Sequence, residues 1–174
     1  MSHKEAKKVT SNVKIEGARL IYKNFQGQAS AYNAEGNRNF GVLLDDDLAE
    51  ELKADGWKVK YIRPKDDDPD QYQQPWMPVK VRFGQYPPIA VLITSRGKTR
   101  LDEDTIGQLD WTSIKTVDLI IRPYNYPAAN GRPAGVSAYV KSIYVTVNED
   151  ELELKYANIP DADDPRGYEE SEED

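Results

Sequence analysis

Short runs in which apolar and charged residues alternate constrain this chain more than any other feature. Over 57–63, Trp57, Val59 and Tyr61 fall on one side of an extended backbone, and Lys58 and Lys60 on the other. Residues 77–83 repeat the pattern, with Val79, Val81 and Phe83 against Lys80 and Arg82. A period of two suits a half-buried strand and defeats an amphipathic helix. Further strands are expected over 13–22, with Gly17 as a bulge or bend, and over 38–44, 89–95, 116–123 and 136–147. Helical signals are few. Asp45, Asp46 and Asp47 open a short helix over 46–55 that Gly56 ends. Asp102, Glu103 and Asp104 sit at the start of a helix or turn over 101–109, and a last helix is expected over 149–158. Segments 26–36, 64–78 and 124–135 read as loops, the second carrying the acidic cluster Asp66, Asp67, Asp68 and Asp70. Trp57 and Trp111 read as core. The sum is a mainly β protein: an OB-fold-like β-barrel with two or three short inserted helices.

The charge divides the chain. Residues 161–174 hold eight acids and one base, which accounts for the whole net charge of −7 and leaves 22 bases and 22 acids for residues 1–160. Fourteen residues with one aromatic and no aliphatic larger than Ala bury too little to offset ordering entropy. The expected organisation is a flexible basic arm over 1–11, a single domain over 12–160 and a disordered acidic tail over 161–174.

Several chemistries are excluded by what the chain lacks. With no Cys there is no disulfide framework, thiol catalysis or cysteine-bound metal, and the lone His3 cannot build a triad or a multi-His site. No apolar run approaches the roughly 20 residues that span a bilayer, and the charged start is unlike a signal peptide. The expectation is a soluble, cytoplasmic protein. The two acidic clusters could hold magnesium, but both sit where helix N-termini need caps. Gly97-Lys98-Thr99 matches only the end of a phosphate-binding P-loop, since position 92 is Leu. These readings call for no enzyme, no metal and no cofactor.

Binding is better supported. Lys80 and Arg82 form one basic pair at strand spacing; Arg96, Lys98 and Arg100 form a stripe about 13 Å long if extended. Aromatics adjoin bases repeatedly: Lys23 and Phe25, Lys60 and Tyr61, Arg122 with Tyr124 and Tyr126, and Lys141 next to Val140 and Tyr139. Cations that pair phosphates, interleaved with rings that stack bases, are what single-stranded nucleic acid requires. These thirteen residues are the candidate contacts. The acidic tail, polyanionic like the ligand, could occupy the same groove or recruit basic partners.

Four segments carry a family resemblance: 39–46 (Asn-Phe-Gly-Val-Leu-Leu-Asp-Asp), 55–61 (Asp-Gly-Trp-Lys-Val-Lys-Tyr), 92–102 (Leu-Ile-Thr-Ser-Arg-Gly-Lys-Thr-Arg-Leu-Asp) and 117–124 (Val-Asp-Leu-Ile-Ile-Arg-Pro-Tyr). In them the chain resembles phage and prophage single-stranded DNA-binding proteins over most of 12–157. The resemblance implies an OB-fold, single-stranded DNA binding in phage replication or recombination, and an acidic tail that contacts replication or recombination proteins. Such tails often end in an aromatic residue; this one ends Glu172-Glu173-Asp174, with Tyr168 upstream. RNA in place of DNA and a homo-oligomer stay open. Two other readings compete: a virion assembly β-protein that binds no nucleic acid, and a metal-dependent nuclease built on the acidic clusters.

Overall fold

A computed structural model describes residues 8–63, 70–150, 155, 156, 159 and 160. The expected acidic tail, the acidic residues 66–68, most of the expected last helix and residues 1–7 of the arm lie outside the described residues. Nine strands are present among them: β1 (Val13–Ile15), β2 (Leu20–Asn24), β3 (Arg38–Leu43), β4 (Lys60–Tyr61), β5 (Pro75–Val81), β6 (Ile89–Thr94), β7 (Gly97–Leu101), β8 (Ile114–Tyr126) and β9 (Gly135–Val147). One helix, α1 (Asp46–Ala54), and a 3-10 turn (Ile106–Asp110) complete the described elements.

The hydrogen-bonded path runs β1-β8-β9-β5-β3-β2. Its two end strands are consecutive pieces of one chain segment. Ala18 N–H still donates to Val117 of β8, whereas the carbonyl of the next residue, Arg19, accepts from the N–H of Leu43, the last residue of β3. The positive φ of Gly17 (63°) turns the segment between the two partners, which brings the sheet back on itself as a rolled β layer. β5 and β6 both pair in parallel with β9, at Val79–Lys80 and Ile89–Ile93 respectively, and β6–β7 projects as a hairpin.

Alternation supplies the core. Phe40 and Val42, Met77 and Val79, Leu119 and Ile121, and Ile143 and Val145 point inward and are buried. Each such side chain contributes roughly 1.5–3 kcal/mol on burial. Prolines fall where a missing N–H costs least. Pro78 lies between the stretches of β5 that pair with β4 and β9, and Pro123 lies beyond the reach of β1 on β8.

The first acidic cluster caps α1 through Asp45, whereas Asp102 of the second braces the turn before the 3-10 turn, whose own N-cap is Thr105. Asp45 accepts Leu48 N–H at 2.7 Å, and Asp102 accepts from the N–H groups of Asp104 and Thr105. The Thr105 hydroxyl, also bonded to Asp102, holds that carboxyl below its ordinary range. Several expectations need correction. Leu101 ends a strand rather than starting a helix, and helical geometry is limited to the 3-10 turn. Trp111 is 78% exposed. At three residues per turn it falls off the row of Ile106 and Leu109 that faces the core. Residues 124–126 belong to β8, not to a loop. Within the arm, the Asn125 carboxamide bonds both the N–H and the carbonyl of Val9, so Val9 is tied to the sheet.

Candidate nucleic-acid interface

The outward rows of β2, β3, β5, β8 and β9 build one polar and aromatic surface. On β5 the even-numbered residues Trp76, Pro78 and Lys80 point away from the core, and Arg82 continues the row. The ladder sets Lys80 against Tyr139 of β9 and Asn39 of β3, and sets Arg122 of β8 against Tyr139. Two concavities open here. The larger, of about 990 Å³, is lined by Tyr22, Arg38, Lys60, Trp76, Lys80 and Arg82 among others. The smaller, of about 410 Å³, is lined by Arg82, Gly84, Gln85, Tyr86, Arg122, Tyr124 and Tyr139. Arg82 borders both, so the two adjoin and together make up the cleft.

Tyr139 is the hub. It is only 8% exposed, and three cations lie over its ring: Arg122 at 5.0 Å, Lys80 at 5.7 Å and Arg82 at 5.8 Å. Tyr124 meets it edge-on at 5.9 Å, and Tyr86 lies 5.9 Å from Arg122. At the other end Lys60 lies 5.5 Å from the Trp76 ring, which Tyr22 meets edge-on at 5.1 Å. A ring orients a cation without neutralising it, whereas a carboxylate would cancel its charge. Among the described residues no carboxylate pairs with Lys58, Lys60, Lys80, Arg82 or Arg122, whereas Lys14 pairs with Glu16 and Arg38 with Glu103. Arg122 Nε is buried and has no hydrogen-bond partner among the described residues. Burial lowers the Lys58 ammonium below its ordinary value, and the charges of Lys80, Lys60 and Arg132 lower it further. The surface therefore offers concentrated positive charge together with exposed rings (Tyr22 at 63%, Tyr86 at 67%, Tyr124 at 49%).

The thirteen expected contacts divide. Lys60, Lys80, Arg82, Arg122 and Tyr124 line the cleft. Tyr126 lies outside both concavities, held between Lys58 at 5.2 Å and Arg132 at 4.6 Å. Tyr61 is engaged by Lys53 of α1. Lys98, Arg100 and Lys141 are exposed but outside the cleft, and Arg96 sits in the hairpin turn beside Glu149. Two expectations are corrected. Phe25 is fully buried and stacked on Phe40 at 5.0 Å, because its N–H is drawn inward by Asp110. Lys23 donates to the Leu109 carbonyl at 3.0 Å and so anchors the 3-10 turn. The sequence reading passed over Trp76, Tyr86, Lys58 and Arg132. Extending the even-numbered register of Lys80 and Arg82 back to Trp76 would have found the first.

A family model described as "Putative phage ssDNA-binding domain" matches residues 1–173. Among solved structures, the chain is similar to the single-stranded DNA-binding protein from bacteriophage Enc34 in complex with ssDNA. Identity is 14%, 86% of this chain and 98% of that one are covered, and the TM-score is 0.48. A C-terminal truncation of that protein gives 16% identity over 83% and 94% of the two chains, with a TM-score of 0.47. Bacteriophage T7 gp2.5, also a single-stranded DNA-binding protein, gives 9% identity over 89% and 97%, with a TM-score of 0.39. No curated protein matches. The family match runs almost the full length of the chain, favours the nucleic-acid binder among the readings the sequence left open, and makes this protein a member of the phage ssDNA-binding domain family.

Proposed function

We propose that this protein holds single-stranded DNA in the cleft without reading its sequence. Phosphates pair with Lys60, Lys80, Arg82 and Arg122 of the cleft and with Lys58 beside it, and bases lie on Tyr22, Trp76, Tyr86 and Tyr124. The observation that carries the reading is the set of cations held by rings instead of carboxylates around Tyr139. Stacking contributes roughly 1–3 kcal/mol per base and accepts every base, so affinity comes without base-edge contacts. The work is coating and protecting exposed strand during phage replication or recombination, in the host cytoplasm, by binding rather than by catalysis. The acidic residues of 161–174 recruit basic sites on partner proteins, and salt weakens those contacts.

Fluorescence anisotropy with a labelled dT oligonucleotide of about 30 nucleotides, several OB-fold sites long, tests the reading. Binding tighter than to a matched duplex, weakening steeply with salt and lost in a Lys80→Glu/Arg82→Glu variant, is expected. Equal binding by wild type and variant would refute the cleft as the site.

A further inference from the structure

The stripe of Lys98 and Arg100 lies outside the cleft, yet on the same side of the sheet. Ala90 and Leu101 are buried, so the alternate residues Val91, Lys98 and Arg100 face outward. β9 carries the same outward row from the cleft into this region. Tyr139 and Tyr144 both point away from the core, on either side of a register shift at Lys141. The ladders align Tyr144 with Val91 of β6, and Val91 with Arg100 of β7. Tyr144 is 38% exposed and Ile89 39%. The distance along β9 from Tyr139 to Tyr144 is about 17 Å.

We infer that the outward face of β6, β7 and the far half of β9 is a second tract for the same DNA strand, entered past Tyr86. Lys141, Lys98 and Arg100 would meet phosphates, and Tyr144 with the aliphatic surface of Ile89 and Val91 would receive a base. This rests on the cleft reading and extends its length. Charge selects the occupant: Lys98, Arg100 and Lys141 are exposed and pair with no carboxylate among the described residues. Asp118, opposite Tyr144, is the one acid on this row, and it accepts the Gly17 N–H at 3.0 Å. Arg96 is left out because its charge acts on Glu149. A second copy is a poorer occupant. Two β7 edges paired antiparallel about Thr99 would set Lys98 against Arg100, and like charges directly opposite destabilise a strand pair.

Full-length protein is titrated with labelled dT oligonucleotides of about 6 and about 16 nucleotides, which bracket the site sizes of single OB-folds. A Lys98→Glu/Arg100→Glu variant is expected to bind the shorter one like wild type. It should bind the longer one about tenfold more weakly, with a salt slope reduced by about 1.4, at about 0.7 per phosphate contact on a single strand. Tyr144→Ala should weaken only the longer one and leave its salt slope unchanged. Wild-type affinity of the double variant for the longer oligonucleotide overturns the second tract and leaves the cleft standing. Equal losses on both lengths also overturn it, because the charges would then act on the cleft itself. If wild type binds neither oligonucleotide, the cleft reading fails and this one with it.

Discussion

The indole of Trp76 lies across Gly41 of the neighbouring strand: a Cβ at position 41 would come within 2.7 Å of Trp76 Cε3. Gly41 and Pro78 are register partners on the outward row, which puts Trp76 on the diagonal. The ring covers a strand glycine that would otherwise leave backbone open, and the missing side chain lets the ring lie flat on the cleft floor. Tyr126 covers Gly135 in the same way, with its Cζ 2.6 Å from where a Cβ would be.

Gly41→Ala should therefore act on DNA binding through Trp76. The new methyl also meets Ile21 Cγ1 at 2.8 Å, so both neighbours must shift and the Trp76 ring leaves its present position. Loss of one stacked base predicts about a tenfold weaker affinity for dT oligonucleotides, within the roughly 1–3 kcal/mol a stacked base contributes. Anisotropy titration beside a thermal melt separates this from unfolding. Unchanged affinity would remove Trp76 from the interface.

Arg122→Lys should not rescue Arg122→Ala. The guanidinium lies over both Tyr139 and Tyr86, and its Nε is buried without a partner among the described residues. Lysine keeps the charge but loses the planar fork and the stacking. Both variants should weaken single-strand binding, while only the alanine variant lowers the salt slope, by about 0.7. Full recovery in the lysine variant would mean that charge alone matters at this position.

Lys58 links binding to pH. In the free protein its ammonium titrates below the ordinary 10.5, because burial and the charges of Lys80, Lys60 and Arg132 disfavour the proton. A phosphate beside it favours the proton and raises the value again. Affinity should thus be full below the free-protein value and fall as pH rises above it, with a proton taken up on binding in that alkaline window. The stability of the free fold has the opposite sign. The unfolded chain binds this proton more tightly, so the Lys58 contribution to stability increases as pH rises from the folded value towards 10.5. Calorimetric titrations in two buffers of different ionisation enthalpy should show uptake in wild type and none in Lys58→Gln.

Asp110 joins the 3-10 turn to the chain that borders the cleft. Its two carboxylate oxygens accept the N–H groups of Phe25 at 2.7 Å and Gln26 at 2.9 Å. Asp110→Ala leaves the part-buried Phe25 N–H unpaired, while water can reach the exposed Gln26 N–H, and is expected to destabilise the protein by roughly 1–3 kcal/mol. Urea unfolding should show a lower midpoint with an unchanged slope.

Local chemistry was readable from the sequence. Alternation in 77–83 and 136–147 marked strands and their inward faces, because side-chain direction in a strand depends only on parity. Asp45 was readable as a cap, because capping uses neighbours three residues away or fewer; Asp102 was read the same way but braces a turn that precedes the 3-10 turn. The phage single-stranded DNA-binding family was legible in short segments spread over the chain. Which cations share a site was not legible, because that depends on pairs far apart in sequence. Lys80 meets Tyr139 only because β5 and β9 pair in parallel, and Arg122 arrives from the other side on β8. Tertiary structure also reassigned Phe25: a ring beside Lys23 in sequence looks available to DNA, but the backbone bonds to Asp110 turn it into the core. The sequence by itself determined the inward and outward faces of strands such as β5 and β9, the cap of α1 and the separate acidic charge. Strand pairing decided which rings hold cations and which fill the core, because it sets the neighbours of every outward side chain.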